Sequence, residues 1–177
     1  ITTAASIAYL LQMSGEQVGM LTNARDAAEV ARYEIEGVRT LSRGEADEGV
    51  ACEEGSTHIS PLSVPTVRSP VQAQKIIENL ARVSPGRGLD AEGMVLSEFR
   101  HLPRDAALLP VVPVVTDRLA LTLGSMKLAG FNVSVFFINH QAGYEEAAAK
   151  LAQHEINVFH IEHEWSLHEL SPAEIGR

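Results

Sequence analysis

One cysteine, Cys52, is all the chain has among 177 residues. An intramolecular disulfide is therefore excluded, and so is a zinc site built from several cysteines. The setting Ala51-Cys52-Glu53-Glu54 is acidic, which disfavours a thiolate and with it a reactive nucleophile. Positive charge is scarce too. The 14 Lys and Arg stand against 23 Asp and Glu, a formal −9 at pH 7, which argues against a surface for duplex nucleic acid or an anionic membrane. Long apolar runs are missing: the opening stretch is short and holds Thr2, Thr3, Ser6 and Gln12, so it reads as neither signal peptide nor membrane span. No G-x-G-x-x-G, G-x-x-x-x-G-K-S/T or G-x-S-x-G occurs. A nucleotide-binding Rossmann domain loses its main support with the glycine fingerprint.

What is present is a globular composition, 45% hydrophobic and 21% charged with mean hydropathy +0.02. The length is that of one domain, 1–177, burying about 70% of its unfolded surface. Ile1, Ala4, Ala5, Ala8 and Leu11 recur at helical spacing, widened by Ile7 and Leu10. That helix opens without a cap, so the chain is expected to begin inside a larger protein. A glycine turn at Ser14-Gly15 leads into a strand over 17–22. From 24 to 62 the pattern collapses into an irregular excursion, with a short helix expected at 27–36. A returning strand is expected at 64–67.

Order then resumes. Ser69-Pro70 reads as the cap and first position of a helix with Ala73, Ile76, Ile77 and Leu80 inward, ended by Ser84-Pro85-Gly86. A second helix is expected over 90–101 with Val95, Phe99 and Leu102 inward. A strand over 111–115, a helix over 117–129 stopped by Gly130, a strand over 131–138, a helix over 144–154 and a strand over 157–161 complete the chain. The strand over 131–138 is apolar on both faces, as a central parallel strand requires. This alternation predicts a three-layer, doubly wound, Rossmann-like α/β domain with a mostly parallel sheet covered on both faces. Pro110 and Pro113 cut across it, because proline removes ladder hydrogen bonds, and three residues apart they do so toward opposite edges.

Ligands of open α/β sheets collect at the carboxyl ends of the strands. The candidates there are Thr116 and Asp117, then Asn139, His140 and Gln141, then Glu162, His163 and Glu164. A carboxylate such as Asp117 holds a hard cation through oxygen, but it also caps a helix, and capping is the reading preferred. Four of the seven histidines, His154, His160, His163 and His168, fall in the tail. The zincin pattern needs i, i+4, whereas His163 and His168 stand at i, i+5, about 500° apart around a helix. His160 and Glu162 alternate with Phe159 and Ile161, as on the polar face of an outer strand. A metal-assisted hydrolase using Asp117 and this segment is the alternative to a binding domain. Pro85-Gly86-Arg87-Gly88 follows a helix and reads as a turn, and Arg39-Thr40-Leu41-Ser42-Arg43 as an exposed string.

Several segments carry a family resemblance. They are Ala4-Ala5-Ser6-Ile7-Ala8-Tyr9-Leu10-Leu11 running into Gly15-Glu16-Gln17-Val18-Gly19-Met20-Leu21, then Ala73-Gln74-Lys75-Ile76-Ile77-Glu78-Asn79-Leu80-Ala81-Arg82, Val114-Val115-Thr116, and the helix–Gly130–strand step to Ile138. Together they resemble the bacterial family called domain of unknown function fifty-eight, whose members contain a von Willebrand factor A-like domain. The resemblance spans most of the chain except roughly 24–62. It implies a protein-interaction or scaffolding domain without catalytic activity, working with a MoxR-type AAA+ ATPase at the cytoplasmic face, with a membrane anchor upstream in the parent protein. The family's metal-ion-dependent adhesion site has an Asp-x-Ser-x-Ser, a Thr and an Asp. Only the last has a match, Asp117; the loop position falls near Gly88-Leu89-Asp90 without a Thr, and the first strand with its motif would precede Ile1. No cofactor is therefore expected here, with Mg²⁺ or Mn²⁺ reserved for the full-length parent. The binding residues expected are Thr116, Asp117, Asn139 and His140. The vacant place of the first strand leaves an unpaired sheet edge through which a partner or a second copy would pair.

Overall fold

The computed structural model describes residues 1–28, 31, 62–84, 90–103, 105–139 and 143–169. Most of the 24–62 excursion, the expected helix over 27–36, Cys52, the Pro85-Gly86-Arg87-Gly88 turn and His140 lie outside the described residues. The chain is a mixed α/β protein with a mostly parallel open sheet.

Helix α1 (Thr2–Met13) leads through Gly15 to strand β1 (Val18–Thr22), which pairs antiparallel with β3 (Leu62–Val67). A two-residue strand β2 (Arg25–Asp26) pairs with β4 (Val83–Ser84), directly after helix α2 (Gln72–Arg82). Arg82 ties that corner to Asp26 at 2.7 Å. Helix α3 (Ala91–Glu98) and a 3-10 turn over 99–101 precede strands β5 (Ala107–Leu108) and β6 (Val111–Val112). Helix α4 (Asp117–Leu128), strand β7 (Asn132–Phe137), helix α5 (Tyr144–Ala152) and strand β8 (Asn157–His160) follow. A 3-10 segment, Glu164–Glu169, ends the described chain.

Both β5 and β6 pair in parallel with β7 at a constant offset of 25 residues, so they are two pieces of one interrupted strand on the same edge. β8 pairs in parallel along the other edge, which makes β7 central. The break falls at Leu109-Pro110. The Pro110 carbonyl accepts from Phe136 N at 2.8 Å, so Pro110 faces β7 and its missing N–H costs the ladder a bond there. Val112 O accepts from Ile138 N in the same direction. The expected strand over 111–115 is corrected to 111–112, because the chain bends at Pro113, whose carbonyl turns to the Asn139 amide instead of continuing the ladder.

The two faces of β7 are both apolar, as expected. Val133, Val135 and Phe137 pack on Leu119, Leu123 and Met126 of α4 and on Ala147 and Leu151 of α5. Phe136 turns to the opposite face, against Ile7 of α1 and Ile161, with Phe159 stacked on it at 5.0 Å. The doubly wound expectation needs correcting in one respect. Both crossover helices, α4 and α5, lie on one face, and the other is covered by α1 and the 3-10 segment rather than by a crossover.

Helix ends follow local chemistry. Gly15 and Gly130 take the left-handed conformation, at φ +80° and +99°, and stop α1 and α4 as expected. Glu155 does the same after α5 at φ 55°, with Ile156 N reaching back to Leu151 O. The start of α2 differs from expectation. Ser69-Pro70 forms the turn before the helix, and Gln12 of α1 serves as its cap, accepting from Ala73 N at 2.5 Å and donating to Pro70 O at 2.9 Å. On α2 the residues Ala73, Ile76 and Leu80 are buried, whereas Ile77 is exposed and not inward. Phe99, in the 3-10 turn after the second helix, is also partly exposed, though its ring meets Phe131 at 5.8 Å.

Pairing of β1 with β3 slips between Val18 and Met20, opposite Pro65. The buried Gln72 amide repairs the slip, donating to Val18 O at 2.9 Å and Pro65 O at 2.7 Å. Gln72→Leu keeps the bulk but strands both carbonyls, so it is expected to cost about 1–3 kcal/mol. Urea unfolding with an unchanged midpoint would refute that assignment.

Candidate functional site

The carboxyl ends of β6, β7 and β8 lie together because the three strands run parallel in adjacent register. They carry Pro113 to Asp117, Ile138 and Asn139, and Ile161 to His163. A cavity of about 350 Å³ opens between Val114, Asp117, Phe137, Asn139, Glu146 and Lys150. A second, of about 360 Å³, lies where Asn139 and Ile161 meet Thr2 and Thr3 of α1. Asn139 borders both, and its amide donates to Pro113 O at 3.2 Å.

Thr116, not Asp117, is the N-cap of α4. Its hydroxyl oxygen accepts from Leu119 N at 3.1 Å, which corrects the preferred reading of Asp117 as the cap. The Thr116 hydroxyl also donates to Glu92 Oε1 at 2.5 Å, the short distance of a charge-assisted bond. Glu92 is buried, on the α3 turn capped by Asp90, whose Oδ1 accepts from Gly93 N at 2.7 Å. Asp117 sits one residue into α4, where a negative charge suits the helix dipole. Its Oδ1 lies 3.0 Å from Lys150 Nζ, and Glu146 Oε1 lies 2.8 Å from the same nitrogen. Lys150 Nζ also donates to Val115 O at 3.4 Å. The hydrogen bond to Glu146, and then that to Asp117, raise the Lys150 pKa above 10.5.

Of the tail histidines, His154, His160 and His163 do not converge. The His154 ring lies on Gly124 of α4, with Nδ1 2.5 Å from where a Cβ would stand, so glycine is required there. His160, at the other end of β8, is half-buried, stacked on Tyr144 at 4.4 Å with Nε2 2.8 Å from Asn139 O. It packs against the rim instead of standing on a free polar face, as expected of an outer strand. His163 meets Trp165 at 5.7 Å. Among the described residues no three His, Cys, Asp or Glu side chains are grouped so as to hold a metal ion.

Of the four residues expected at the site, the structure brings Thr116, Asp117 and Asn139 to one rim, and His140 lies outside the described residues. Glu92, Tyr144 and Lys150 were not anticipated. The Glu146–Lys150 spacing of i, i+4 is a visible signal for one pair. Nothing local announces that Lys150 also reaches Asp117, or that Glu92 meets Thr116. No family model, curated protein or solved structure matches the chain.

Thr116→Val removes both the cap and the partner of a buried carboxylate, and is expected to cost about 1–3 kcal/mol, with Thr116→Ser close to wild type. Thermal unfolding checks this, and equal midpoints for the two variants would contradict it. Because its pKa is raised, Lys150 keeps the charged link below the ordinary lysine value of 10.5 and loses it as pH climbs through the folded value. The ¹³Cε resonance of Lys150 should therefore show its inflection above 10.5, and an inflection at or below 10.5 would contradict the pairing.

Proposed function

We propose that the chain is a protein–protein interaction domain of von Willebrand A type, contacting its partner through the rim at Thr116, Asp117 and Asn139. The observation carrying this reading is that the rim's charges are paired internally while Val114 stands 61% exposed among them. An apolar centre inside a polar surround is the anatomy of a contact surface. A general base would need an unengaged group poised beside a reacting atom, and Asp117, Glu146 and Glu92 each have a partner.

The sheet supports the type. A mixed α/β arrangement with an open parallel edge at β6 fits a domain of this type. Leu109 and Val111 turn their backbone groups away from β7, and among the described residues no strand pairs with them. A partner strand or a second copy would pair there. The partner proposed is a MoxR-type AAA+ ATPase, met at the cytoplasmic face by a bacterial parent protein anchored in the membrane. Among the described residues no helix is long and apolar enough to cross a membrane.

Titration of this chain against a MoxR-type AAA+ ATPase from the same genome tests the reading. Saturable binding is expected, weakened about ten-fold or more by Val114→Asp combined with Asn139→Ala. Leu128→Glu, at the far end of α4, should leave it unchanged. Absence of binding would overturn the partner, and a stoichiometric transition metal with hydrolytic activity would overturn the class.

A further inference from the structure

The resemblance places a divalent cation at Asp117 only in a full-length parent, and the residues around Asp117 do not fit one. Three oxygens, Asp117 Oδ1, Glu146 Oε1 and Val115 O, surround one nitrogen, Lys150 Nζ, at 3.0, 2.8 and 3.4 Å. An ammonium has three donors and no acceptor, so this nitrogen is matched donor for acceptor. We infer that Lys150 fills the cation position of this rim with its own ammonium, so that the rim works as a contact surface without a divalent ion.

Charge and geometry agree. Two carboxylates and one ammonium leave a single net negative charge, and an incoming divalent ion would meet the ammonium as a like charge a few ångströms away. The N-terminus of α4 adds a positive partial charge on the same side. Thr116 offers little as a ligand, since its hydroxyl donates to Glu92 and accepts from Leu119 N. Mg²⁺ requires six oxygens in near-ideal octahedral geometry, whereas the oxygens here are arrayed around a lysine. Lys150 is itself three-quarters covered while the two carboxylates are mostly exposed, so the cation is the fixed member of the group. Fixing it joins α5 to the β6–α4 turn and holds Val114 and Thr116 in place. The inference rests on the rim being the contact surface, but ion binding is measured without any partner, so its failure is separate from a failure of that reading.

The test is Mn²⁺ titration of the full chain, counting bound ion by electron paramagnetic resonance. Wild type is expected to show no saturable binding up to about 1 mM, the weak end of protein divalent sites. Lys150→Met removes the internal cation and is expected to gain one Mn²⁺ per chain, at least about ten-fold tighter than wild type, and adding Asp117→Asn should abolish the gain. Lys150→Gln is read the same way should the methionine variant not fold. One Mn²⁺ bound by wild type and lost in Asp117→Asn would overturn the inference. So would a lysine variant that folds and gains no ion.

Discussion

The side chains of α1 divide between two apolar clusters. Ala8 packs with Val18, Val64, Ile76 and Leu80, where β1, β3 and α2 meet, and Ala4 and Ala5 line the same side. Ile7 packs with Phe136 and Ile161 on the parallel sheet, joined by Leu10, and Leu11 reaches both clusters. The small residues allow close approach on one side and the large ones fill the other. An antiparallel pair alone is marginal in water, and a parallel sheet needs cover on both faces. One helix contributes cover to both. Gln12 strengthens the tie by capping α2 from the end of α1. Disrupting this helix should therefore loosen both halves at once rather than detach one of them.

The rim depends on that arrangement at one remove. β7 is central because β5 and β6 pair along one edge and β8 along the other, and α1 closes the face that α4 and α5 do not. With β7 fixed, the turns leaving β6 and β7 are brought to the same end, and three helices then meet there through side chains. Glu92 of α3 holds Thr116, Thr116 caps α4, and Lys150 of α5 holds Asp117. Pairs as exposed as Asp117 and Glu146 contribute little singly, but a shared cation makes a network, which is the case in which surface charges do matter. Its main effect is on geometry. It restrains a turn that already carries two prolines' worth of interruption just upstream, at Pro110 and Pro113.

Much of this was legible in the sequence where the cause is local. The glycine stops at Gly15 and Gly130, the two-sided apolarity of β7, and the conflict between Pro110 and a continuous strand all follow from neighbouring residues. The strand ends carrying Thr116, Asp117 and Asn139 followed from the same alternation. What escaped depends on distance along the chain. Gln12 caps Ala73 across 61 residues, and Glu92 meets Thr116 across 24. Ile77 looked inward by spacing, yet α1 covers only the stripe of Ala73, Ile76 and Leu80. Crowding of histidines in the sequence carries no such distance information either: a strand of four residues, with a turn before it, separates His154 from His160 at opposite ends of the sheet.

Charge acts on two scales in this molecule. The whole chain carries −9, a field that would steer any oppositely charged partner and that weakens as salt screens it. At the rim the balance of Asp117, Glu146 and Lys150 comes to only −1. With the rim as the contact surface proposed above, steering and recognition would be served by different groups: the distributed acids would govern how fast a partner arrives, and the fixed turn with Val114 at its centre how well it fits. A change in ionic strength should act mainly on the first, whereas a change in the Lys150 link displaces the atoms that make the second.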